Sequence, residues 1–128
     1  ALRFGVTGDP NIYFQNGIRA SMKSAGLSDA DINAYFTANP TIVNLTGTTD
    51  EKLQQIIIQK YVASVGNAYE AYNDYRRTGY PVLTPPIITA GDDPNVFPQR
   101  FPYTTGEGAV NPNQPNPRPR TGEKVWWQ

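Results

Sequence analysis

A change of character at Pro81 constrains this chain more than any other feature. Ten of its 12 prolines fall in residues 81–128, and residues 1–80 carry the other two. Proline fixes φ and removes a main-chain donor, so neither a helix interior nor a central strand tolerates many. The chain therefore divides into a helical segment, residues 1–80, and an irregular Pro-rich segment, residues 81–128. With 128 residues in all, there is room for one ordinary core. The fold class expected is mainly α, helix pairs followed by a long Pro-rich irregular C-terminal wrap packed on the helical body.

Within residues 1–80 the helix signals are local. Asp9 suits an N-cap, Pro10 the first helical position and Gly26 the stop, which predicts a helix from Pro10 to Ala25. Phe14, Ile18, Met22 and Ala25 form its apolar stripe, while Gly17 and Ala20 are small enough to admit a close neighbour. Ser28-Asp29-Ala30-Asp31 matches a capping pattern with Asp in place of Glu and opens a second helix bearing Ile32, Tyr35 and Phe36. That helix is expected to end at Asn39-Pro40. The short Gly-Leu link makes the first two helices an antiparallel pair of the kind that repeat proteins stack. Ala1 to Gly5 read as the last turn of a helix begun upstream, and no secretory leader opens these residues.

A third helix starts near Thr49, with Asp50 and Glu51 where the helix dipole favours acids. Its apolar residues, Leu53, Ile56, Ile57, Ile58, Tyr61, Val62 and Val65, cover more than one face. Such a helix needs partners on several sides, more than two preceding helices supply. A fourth helix runs from Ala68 to Thr78, closed by Arg76 and Arg77 in the last turn, Gly79 and Pro81. Beyond Pro81 no pattern persists for more than about four residues. Such a stretch stays ordered only by lying on a formed surface, with Leu83, Ile87, Phe97, Phe101, Tyr103, Val125, Trp126 and Trp127 as expected anchors. For residues 104–122, rich in Gly, Asn, Pro and Gln, disorder is the competing reading.

Composition removes whole classes of chemistry. With no Cys and no His, thiol nucleophiles, His-based triads and most transition-metal ligand sets are excluded. Basic and acidic residues number 11 each, and they balance within both segments, so no basic field attracts nucleic acid or an anionic membrane. No apolar run approaches the about 18 residues of a membrane span. No cofactor is expected. The chain is aromatic-rich (12%), a trait shared by carbohydrate-facing surfaces and ordinary cores.

The remaining constellations each have a functional and a structural reading. Asp29, Asp31 and Asn33 open like a calcium loop, but Ala34 and Pro40 stand where Gly and Glu are required. Asp92 and Asp93 lie in a turn ahead of Pro94, where Asp is routine. Glu70 and Asp74 share a helix face and could act as acid and base in glycoside cleavage; the reading preferred is an ion network with Arg76 and Arg77 that clamps the helix end. Tyr69, Tyr72, Tyr75 and Tyr80 could form a sugar-stacking platform, with ordinary packing the preferred alternative. Asn44-Leu45-Thr46 is a glycosylation sequon, and Gly106-Glu107-Gly108 lacks the setting of a phosphate loop.

Ile58 to Ala63, then Asn67-Ala68-Tyr69-Glu70-Ala71-Tyr72-Asn73-Asp74-Tyr75-Arg76-Arg77-Thr78-Gly79-Tyr80-Pro81, resembles the C-terminal region of SusD-like (SusD/RagB) outer-membrane lipoproteins. Phe97 to Tyr103, Glu107 to Pro112 and Lys124-Val125-Trp126-Trp127 follow in the same order. The resemblance is specific over about Leu53 to Gln128 and softer before. Tyr61 and Tyr72 stand where the family often has Trp, and Thr104 where Pro is common. The resemblance implies tetratricopeptide-like helix pairs and a much longer lipoprotein, anchored through an upstream lipidated Cys on the outer face of the outer membrane. It also implies an oligosaccharide or peptide ligand, bound mainly by upstream regions, and a SusC-like TonB-dependent transporter as partner. Glu70, Asp74, Arg76, Arg77, Gly79, Tyr80, Pro81, Arg100 and Tyr103 carry over as structural signature alone; no ligand-binding, catalytic or metal residue is assigned.

The leading reading is thus a non-catalytic nutrient-binding protein. A helical-repeat protein-interaction module without a small ligand is the alternative, and a glycosidase using Glu70 and Asp74 comes third.

Overall fold

In the computed structural model, which describes residues 2–85, 87, 93 and 95–126, helix α1 (Pro10–Ser24) begins where Asp9 accepts the Asn11 N–H at 2.8 Å. It ends as glycine C-caps do: Gly26 takes φ 89°, its N–H donates to Lys23 O, and the Leu27 N–H reaches back to Met22 O. The chain then turns directly into α2 (Asp29–Ala38), capped by Ser28, whose hydroxyl accepts the Asp31 N–H and donates to the Asp31 carboxylate. These two helices pack against each other as expected. Pro40 ends α2, as expected, but also starts a single further turn, α3 (Pro40–Val43). Proline at the first helical position explains it, since the N–H it lacks would be orphaned there anyway.

Helix α4 (Thr49–Ala63) carries a full capping box: Thr48 accepts the Glu51 N–H, and the Glu51 carboxylate accepts from both the backbone and the hydroxyl of Thr48. Helix α5 (Ala68–Thr78) closes with the Gly79 N–H on Tyr75 O at 2.7 Å and Gly79 at φ 77°. A non-glycine residue there would be strained by its Cβ.

The core of the helical part gathers Phe14, Ile18 and Val43, with Met22, Tyr35, Phe36, Leu45 and Ile56 around them. Ile32 is fully enclosed and Ile57 nearly so, each burial contributing about 1.5–3 kcal/mol. α1 is the hub, packing on α2, α3 and α4. Beside this core the Asn44 side chain accepts from Asn11 and Gln15 and donates to Pro40 O, while Asn11 accepts the Leu45 N–H. Gly17, expected to admit a close neighbour, faces open space and is exposed. α2, α3 and α4 instead meet α1 through its large apolar side chains.

The chain divides into two compact units, up to Asp74 and from Tyr75 onward. Among its described residues the second holds the last turn of α5 and a short helix, α6 (Thr105–Val110), in the stretch where the alternatives were irregular chain or disorder. Thr104 caps it by accepting the Glu107 N–H at 3.2 Å, and the Glu107 carboxylate accepts from the Asn111 amide. The Arg118 guanidinium lies against Gly108, where a Cβ would collide with it. Elsewhere this unit is tied by polar contacts to main chain: Thr121 O accepts from the N–H groups of Gln99 and Arg100. Asp93 meets Arg120 at 3.3 Å and accepts the Gly122 N–H at 3.0 Å. Of the expected anchors, Leu83, Phe97, Tyr103 and Val125 are partly covered. Ile87, Phe101 and Trp126 are 90–94% exposed and so are not the buried anchors expected of them. Trp127 lies outside the described residues.

Candidate functional site

The residues singled out from sequence centre on α5. Glu70 and Asp74, one turn apart, are brought together by a group that sequence reasoning missed. Lys60 Nζ reaches from α4 to lie 3.5 Å from Glu70 Oε2 and 2.7 Å from Asp74 Oδ2. Asp74 is 5% exposed, so its charge needs close compensation, and the short contact to Lys60 supplies it. Glu70 and Lys60 are both about half-exposed, and a pair of that kind contributes little. Lys60 could be found in advance only by knowing how α4 and α5 pair in space, since ten residues separate it from Glu70.

This geometry bears on chemistry. An acid–base carboxylate pair for glycoside cleavage must face a cleft wide enough for a sugar ring. Asp74 is instead enclosed and bound by an ammonium group, in the manner of a structural ion network.

The tyrosines do different jobs. Tyr69 is exposed, whereas Tyr75 packs its ring on Phe97 with centroids 5.2 Å apart and planes tilted by 55°. Tyr75 is thereby engaged in packing. Arg76 and Arg77 occupy the last turn of α5, Arg76 half-buried and Arg77 exposed. Gly79 turns the chain out of the helix, and Tyr80, half-buried, donates its N–H to Thr78 Oγ1 at 3.1 Å ahead of Pro81. Arg100 lies 5.5 Å from the centre of the Tyr103 ring, within cation–π range.

The weaker motifs resolve structurally. The sequon residue Asn44 has its amide engaged on both sides. Asp29 pairs with Lys23 at 2.9 Å and Asp31 belongs to the Ser28 cap. Asp93 is held by Arg120 and Gly122, and Asp92 lies outside the described residues. Among the described residues no cluster of three acidic groups gathers as a metal site, and no helix is long and apolar enough to cross a membrane. The Glu51 carboxyl departs from its ordinary titration. The Thr48 N–H, then the Thr48 hydroxyl, stabilise the anion and hold its pKa below the usual carboxylate value.

The profile of the SusD-like family, described as starch-binding and associating with the outer membrane, matches residues 1–104. The chain belongs to the SusD-like family. The match takes in the first fifty residues, where the motif resemblance was soft, and stops before the Glu107–Pro112 and C-terminal Trp motifs. Among solved structures, this SusD-like chain is similar to a chitin-binding protein at 29% identity, with a TM-score of 0.64 over 84% of its own length. It shares its fold with a Bacteroidetes SusD-like protein, AC2a, at 23% identity and a TM-score of 0.61, again over 84% of its length. It spans only 24% and 22% of those two chains. No curated protein matches it.

Proposed function

We propose that this chain is part of a non-catalytic cell-surface receptor that captures oligosaccharide and hands it to a SusC-like TonB-dependent outer-membrane transporter. The observation that carries this reading is the family match over residues 1–104, joined to a helix-pair architecture shared with a chitin-binding protein. Carbohydrate is accordingly the ligand class, with β-linked N-acetylglucosamine oligomers and α-linked glucose oligomers as the two chemistries to try first. The receptor would be lipid-anchored at the outer face of the outer membrane through a residue upstream of this chain.

In this reading the chain supplies scaffold. Glu70 and Asp74 with Lys60, then Arg76, Arg77, Gly79, Tyr80 and Pro81, fix the exit from α5, while Arg100 and Tyr103 brace the Pro-rich segment. Aromatic and polar side chains elsewhere in the full-length protein take the sugar on a preformed surface, and release follows opening of the receptor over its transporter. No bond is cleaved. The enclosure of Asp74 supports this, because a buried carboxylate occupied by a lysine offers no open face to a sugar oxygen.

Calorimetric titration of the full-length protein tests the reading. Chito-oligosaccharides or malto-oligosaccharides should give saturable heat with no new reducing ends. A protein silent toward both series, yet retained by a protein partner, would instead be an interaction module.

A further inference from the structure

We draw no further inference here: the strongest candidate, the side-chain cluster at the α1–α2 crossing in which the Arg19 guanidinium lies 3.9 Å from the centre of the Phe36 ring and donates to Asn33 Oδ1 at 2.8 Å, carries nothing, because both contacts are ordinary packing within a helix pair and nothing in the structure shows what meets the remaining guanidinium donors.

Discussion

The two units of this chain are held by different means. Among the described residues the buried apolar ones, Phe14, Ile18, Ile32, Val43 and Ile57, belong to the helical unit, and none in the second unit is buried. The helical unit excludes water and lets backbone hydrogen bonds form within helices. The second has prolines where donors would be, so it ties side chains to carbonyls and N–H groups one at a time: Asp93 to Gly122, Thr104 to Glu107, Thr121 O to Gln99 and Arg100. Burial tolerates approximate geometry and is cooperative, whereas each polar tie depends on one directed contact. Damage to the first unit should therefore lower global stability, and damage to the second should loosen a local stretch.

Substitutions rank accordingly. Ile32→Ala, at a fully enclosed side chain, should cost about 2–5 kcal/mol, read by urea denaturation followed through helical circular dichroism. Loss of less than 1 kcal/mol would show that the helical unit is not held by its core. Asp74→Ala should cost about 1–3 kcal/mol, below a fully buried pair because Lys60 keeps Glu70 at 3.5 Å and, being half-exposed, can rehydrate. Restoring stability with Lys60→Met in the Asp74→Ala background would confirm that the ammonium deprived of Asp74 carries the cost.

Asp93→Ala tests the second unit. Removal of its ties to Arg120 and Gly122 should speed proteolysis within residues 95–122 while shifting the global midpoint by less than about 1 kcal/mol. A global loss as large as that of Ile32→Ala would erase the contrast. Thr48→Ala should cost about 1 kcal/mol and should change the acid limb of stability. Because the folded Glu51 pKa is depressed, its contribution is complete above the ordinary carboxylate pKa and is lost as pH falls through the folded value. The difference between wild type and Thr48→Ala should accordingly shrink on acidification; a difference that grows would sink the assignment. Glu70→Gln should change stability by no more than about 0.5 kcal/mol.

What could be read from sequence follows the same contrast. The ends of α1, α2 and α5 were legible because Asp9, Pro10, Ser28, Gly26 and Gly79 act on the backbone within a few residues of themselves. Thr48 was overlooked although Thr48-x-x-Glu51 is a capping box in plain view, and Thr104-x-x-Glu107 marks α6 in the same way. The Lys60 bridge, the Asp93 tie and the exposure of Phe101 and Trp126 were not legible, because each depends on which distant residues the fold brings close. The apolar excess of α4 could be counted in advance, but which of its sides would be covered could not. For the candidate site, residue types showed that Glu70 and Asp74 share a face; only the packing revealed the lysine that neutralises them.

The Thr121 carbonyl has a consequence for how this segment can vary. The acceptor that closes the stretch from Gln99 to Thr121 is main chain, so no exchange of side chains at position 121 deletes it. Such a closure survives drift in composition between its ends and tolerates added or lost residues there at small entropic cost. Relatives should therefore differ freely in the length of this excursion while its two feet stay side by side.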